Sequence, residues 1–75
     1  MKVSGKKRDF KKEVGIHMAQ IRREKGLSQS QLANDAEIDL STLSRMERGQ
    51  LNFTIDTVIK IAKVLDVEPS ELLRV

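Results

Sequence analysis

Leu27-Ser28-Gln29-Ser30-Gln31-Leu32-Ala33 and, ten residues on, Leu43-Ser44-Arg45-Met46-Glu47-Arg48-Gly49 spell two short helices joined by a tight corner. Ser28 followed three residues later by Gln31 is a capping-box pattern, in which each side chain satisfies the other's backbone N–H. Leu32, Ala33 and Ala36 give the first helix an apolar side. Asp39 marks a second helix start, where a carboxylate can accept free backbone N–H groups. In the helix that follows, Leu43 and Met46 point inward, while Ser41, Ser44, Arg45 and Arg48 share the opposite side at helical spacing. Small hydroxyls and arginines projecting from a short helix suit entry into a DNA major groove.

Working outward, local signals place three more helices. From about Phe10 to Lys25, Val14, Met18 and Ile21 recur at i, i+4 and i+7. Gly26 then stops the helix, with Lys25 as a cation near its end. The motif helices are expected from about Gln29 to Ala36 and from about Leu40 to Arg48, the latter ended by Gly49. After a loop over Gln50 to Phe53, Thr54 caps a fourth helix, with Asp56 near its positive end. The inner positions of that helix are expected to be Ile55, Val58, Ile59, Ala62 and Leu65. Pro69 suits the first position of a last short helix ending in Leu72 and Leu73. No strand-like alternation, repeat or low-complexity segment occurs. The expected architecture is all-α, a compact bundle of five short helices over residues 10–75. A basic arm, read as frayed, precedes it over residues 1–9.

Composition narrows the function classes. A 75-residue chain makes one small domain. Such domains rely on disulfides, a metal, association or regular helix packing. There is no cysteine, and His17 alone cannot supply a metal site. Lack of cysteine suits a reducing cytoplasm, and neither a membrane span nor a signal peptide is seen. The only aromatics are Phe10 and Phe53, too few for binding single strands by base stacking. No nucleophile motif or phosphate-binding glycine loop accompanies His17, so neither enzymatic activity nor a cofactor is expected.

The net charge of +3 is unevenly spread. Residues 1–25 carry nine Lys or Arg against three acids, and residues 26–75 carry five against eight. Lys2, Lys6, Lys7, Arg8, Lys11 and Lys12 cluster near the start. Two readings stand: an arm, with Lys6, Lys7 and Arg8 on phosphates, giving salt-dependent affinity, or a passive solubilising leader. Residues 28–48 hold two basic side chains against four acids, so the second motif helix cannot supply much phosphate affinity by itself.

Together these features support a family resemblance. The stretch from about Val14 to Leu73 resembles the phage-repressor (Cro/XRE) helix-turn-helix family. The landmarks are Arg22-(x3)-Gly26-Leu27-Ser28-Gln29, Leu32-Ala33, Ser44-Arg45-Met46-Glu47-Arg48-Gly49, Ile59-Lys60-Ile61-Ala62-Lys63 and Ser70-Glu71-Leu72-Leu73. The resemblance implies a lambda-repressor-like fold with its helix-turn-helix in helices 2 and 3. The corner position usually held by glycine is Glu37; a positive φ there costs on the order of 1 kcal/mol.

The resemblance further implies an ion pair between Arg22 and Glu47 that fixes helix 3 against helix 1, and a phosphate contact by Gln29. A second phosphate clamp would involve Asn52 and the start of helix 4, with Arg48 and Thr54 flanking the reader. The base-reading candidates are Leu40, Ser41, Thr42, Ser44 and Arg45. Arg45 can address guanine O6 and N7, and Leu40 a thymine methyl. Phe53 replaces a frequent proline and is expected to cover the core edge. The implied function is sequence-specific regulation of prokaryotic type on double-stranded DNA, as a homodimer reading two half-sites. Expected dimer residues are Ile61, Val64, Leu72, Leu73 and Val75. With no ligand-sensing domain, control would fall to concentration, turnover or a protein partner such as a toxin or another regulator. Two rivals are a protein-interaction module of the same fold (antitoxin or adaptor) and attachment of the basic N-terminal helix to an anionic membrane. The latter would need an apolar face that the core requires.

Overall fold

A computed structural model describes residues 9–75. The helices are α1 (Phe10–Glu24), α2 (Gln29–Asp35), α3 (Leu40–Glu47), α4 (Ile55–Leu65) and α5 (Pro69–Leu72). Among the described residues there is no strand, and no helix is long and apolar enough to cross a membrane.

Most helix starts are set by side chains within one turn. Ser28 Oγ accepts from the Gln31 N–H at 3.0 Å, and Gln31 Oε1 accepts from the Ser28 N–H at 2.8 Å, completing the capping box. Thr54 Oγ1 accepts from the Thr57 N–H at 3.1 Å. Asp9, counted above with the arm, is the N-cap of α1 and accepts from the Lys12 N–H at 3.1 Å. Asp39 departs from expectation: it holds the N-cap position of α3, but its carboxylate makes no capping bond.

The first four helices close in the same way. The chain turns left-handed just past the helix, two residues beyond α1, α2 and α3 and one beyond α4, and two N–H groups fold back onto the last carbonyls. After α1, Gly26 (φ 76°) and Leu27 donate to the carbonyls of Arg23 and Arg22. After α3, Gly49 (φ 72°) and Gln50 donate to those of Met46 and Arg45. Glu37 and Asp66, both at φ 58°, perform the same closure after α2 and α4. The corner of the motif thus keeps its left-handed residue without glycine.

One core takes side chains from every helix: Val14, Met18 and Ile21 from α1, Leu32 and Ala33 from α2, and Leu43 and Met46 from α3. From α4 come Val58, Ile61, Ala62 and Leu65, and from α5 Leu72. Phe53 and Leu51 cover its edge. The His17 ring at Nε2 meets the Glu71 carbonyl at 2.8 Å, tying α1 to α5. Gly15 lies where α1 crosses the end of α3. A Cβ there would stand 2.5 Å from the Met46 carbonyl oxygen and 2.7 Å from that of Glu47.

The face of α4 differs from expectation. Ile55 and Ile59 are not inner positions: they are 69% and 47% exposed. Ile61 is fully buried in their place, and so is Leu72. Neither Ile61 nor Leu72 is therefore available to a second copy. Val64 and Leu73 are half-buried against the core, and Val64 lines a groove with Asp35, Ala36 and Glu37 at the corner. Only Val75 of the five expected interface residues is exposed.

Candidate nucleic-acid interface

Helix α3 has one face locked and one open. Leu43 and Met46 are buried in the core, and Glu47 is buried beside them. Glu47 Oε2 accepts from Arg22 Nε at 2.7 Å, and Oε1 accepts from Arg22 Nη2 at 3.1 Å. This two-pronged geometry is the strongest form of the arginine–carboxylate contact. Arg22 Nη1 also donates to the Leu27 carbonyl at 2.8 Å, just before α2. One guanidinium therefore fixes the α1–α2 connection and the C-terminal end of α3. No buried side-chain nitrogen or oxygen among the described residues lacks a partner, which is the condition under which a buried ion pair orders a structure.

The open face carries the sequence-derived reading residues. Leu40, Ser41 and Arg45 are exposed; Thr42 and Ser44 are half-buried. Leu40 is 46% exposed at the start of this helix, and Ser41 and Arg45 stand one turn apart on its open side. The Arg45 guanidinium has no hydrogen-bond or ion-pair partner among the described residues. Arg48 differs: Nη1 donates to Ser44 Oγ at 2.9 Å and Nε to Gln50 Oε1 at 3.2 Å. In the free chain it braces Ser44 from the end of the helix.

Around α3 lie the residues expected at phosphates. Gln29, at the first position of α2, is half-buried and donates from Nε2 to Glu47 Oε1 at 2.7 Å. This link, absent from the sequence reading, joins residues eighteen apart and has no local signal. Asn52 is exposed. Thr54 is exposed too, but its hydroxyl is committed to the α4 cap. Lys6, Lys7 and Arg8 lie outside the described residues. Lys12 does not: a Cβ on Gly49 would lie 2.6 Å from its Cα, so the backbones of α1 and the end of α3 touch. The basic start of α1 is thereby set beside the C-terminal end of the open helix, which spacing alone could not show.

Comparison with known proteins agrees with this geometry. Residues 18–72 match the family model described as Helix-turn-helix. The chain belongs to the helix-turn-helix family. Among its relatives, the uncharacterized HTH-type transcriptional regulator y4dJ of Sinorhizobium fredii is 39% identical over 64 residues, 85% of this chain and 83% of that protein. The crystal structure of the restriction-modification controller protein C.AhdI from Aeromonas hydrophila is 39% identical. It covers 81% of this chain and 92% of its own, with a TM-score of 0.80. SinR of Bacillus subtilis is 43% identical over 61 residues, 80% of this chain and 55% of SinR. A crystal structure of SinR in complex with DNA matches at TM-score 0.76, covering 80% of this chain and 97% of its own. These relatives share the helix-turn-helix architecture, and α2, corner and α3 are its parts here.

Proposed function

We propose that this chain is a sequence-specific regulator that binds double-stranded DNA, with α3 as the reading helix and two copies engaging two half-sites. The carrying observation is the division of α3. Its inner side is pinned by Arg22 and the core, and its outer side offers Leu40, Ser41 and an uncommitted Arg45. A rigid helix with an open mixed face can place donors and methyl contacts against base edges without reordering first. The known relatives, one of them a regulator solved with DNA, support the same reading.

In this mechanism Arg45 addresses a guanine, Ser41 and Ser44 form adaptable hydrogen bonds, Leu40 meets a thymine methyl and Thr42 sits at the edge. Gln29 and Asn52 grip phosphates on either side, fixing register without reading sequence. Arg48 stiffens Ser44. The basic N-terminal segment supplies the counterion-releasing part of the affinity that the acid-rich corner cannot. The chain acts by occupancy, not catalysis. The second copy docks on the outward face of α4, where Ile55 and Ile59 stand one turn apart and exposed.

Enrichment of bound duplexes from a random pool, followed by anisotropy titrations, tests this directly. Recovery of a two-fold symmetric sequence with half-sites about one helical turn apart is expected. A pool that stays random after repeated rounds, with binding that ignores sequence, would refute it.

A further inference from the structure

The Glu47 carboxylate does more than pair with Arg22. Its Oε1 accepts from two donors at once, Arg22 Nη2 at 3.1 Å and Gln29 Nε2 at 2.7 Å. Arg22 belongs to α1, Gln29 opens α2 and Glu47 closes α3, so three elements meet on one buried carboxylate. An ionised carboxylate accepts hydrogen bonds and cannot donate them. The end of the Gln29 amide that faces it is therefore the NH2 end, and the amide cannot flip without setting two oxygens against each other. The second N–H of that nitrogen has no acceptor among the described residues.

We propose that Glu47 is a positioning residue for phosphate recognition: it holds the Gln29 amide with its remaining N–H ready to donate. Arg22 neutralises the carboxylate, so the acid orients the amide without repelling the phosphate. This inference rests on the DNA-binding reading above. A freely rotating glutamine would spend part of its time with its carbonyl oxygen toward the phosphate and would lose rotamer freedom on binding. The held amide avoids both, and its N–H is polarised by the charged acceptor.

The test is a double-mutant cycle with Gln29→Ala, Glu47→Gln and the pair, titrated against an enriched duplex and a scrambled one. Gln29→Ala in the parent weakens both duplexes alike, about fivefold. With Glu47→Gln already in place, the same replacement is expected to cost less than about twofold, because the amide is no longer held. An undiminished fivefold loss overturns the proposal. A parent that binds no duplex overturns the DNA reading itself and this assignment with it; binding with strictly additive effects overturns only the assignment. If Glu47→Gln does not fold, NMR of the parent decides. One of the two Gln29 Nε2 protons should be protected from exchange; two protons exchanging like those of a solvated glutamine refute the held amide.

Discussion

Gly15→Ala tests the closest approach in the fold. The added methyl would sit 2.5 Å and 2.7 Å from the carbonyl oxygens of Met46 and Glu47, where ordinary contact begins near 3.4 Å. The neighbours are backbone, so no rotamer change relieves the overlap. The α1–α3 crossing must open by most of an ångström, or the end of α3 must shift. Alanine brings an opposing gain, because glycine in a helix interior is less favourable by about 0.8–1 kcal/mol. Overpacking costs about 1–3 kcal/mol, and rigid peptide oxygens put this site toward the upper end. The net loss is about 2 kcal/mol, which for a domain of this size lowers Tm by about 8–16 °C. Because Glu47 is one of the displaced residues, its contacts with Arg22 and Gln29 should loosen, and DNA affinity should fall beyond the loss of folded protein. Thermal and urea unfolding at one fixed protein concentration measure the first effect, since association would otherwise shift Tm. Gly26→Ala is the comparison: no atom lies within 4 Å of its added methyl, and only its φ of 76° opposes it. Gly15→Ala as stable as the parent would show that helix propensity outweighs the contact and that the crossing is not sterically fixed.

Arg45→Ala should relax preference at one base position and cost about 1–3 kcal/mol of specific binding, read from titrations of the enriched duplex and its single-base variants; equal affinities throughout would remove Arg45 from the reading face. Deleting residues 1–8, which carry four basic side chains, should weaken binding to all sequences alike and flatten the salt dependence by about 0.9 per lost phosphate contact; an unchanged slope would leave those residues as a passive leader. Ile59→Glu should abolish self-association in sedimentation equilibrium while leaving the fold intact, because Ile59 is outside the core; an undisturbed dimer would move the interface off α4. Glu37→Gly should stabilise the chain by up to about 1 kcal/mol by relieving the φ of 58°; a loss in urea unfolding would mean that the glutamate side chain contributes more than its backbone strain costs.

Much of the fold is written in signals that span a single turn. Ser28 with Gln31, Thr54, Pro69, Gly26 and Gly49 each act on groups within three or four residues, so chemistry and spacing alone placed five helices to within a residue or so. Glu37 is different: the family resemblance, not a local signal, marked it as the corner position, and its φ of 58° keeps the corner left-handed without glycine. Asp66 plays the equivalent part after α4, yet aspartate has many surface roles and gave no distinct signal.

What the chain could not disclose depends on which surfaces meet. Helix α4 has seven apolar residues among its eleven, so more than one stripe fits helical periodicity. The stripe containing Ile61 became the core and left Ile55 and Ile59 outside only when α2 and α5 packed against it. Leu72 was drawn inward in the same way, which emptied the expected dimer surface of two members. Gly15 looks like a weak point in α1 until α3 crosses it and needs the missing side chain. Gln29 and Glu47 are eighteen residues apart, and their hydrogen bond exists only because Arg22 brings the start of α2 and the end of α3 to one buried guanidinium. Local hydrogen bonding and backbone sterics act within a turn and can be read from neighbours in sequence. The choice of buried face and the sharing of a carboxylate by three helices are properties of packing, set when the elements close on one another.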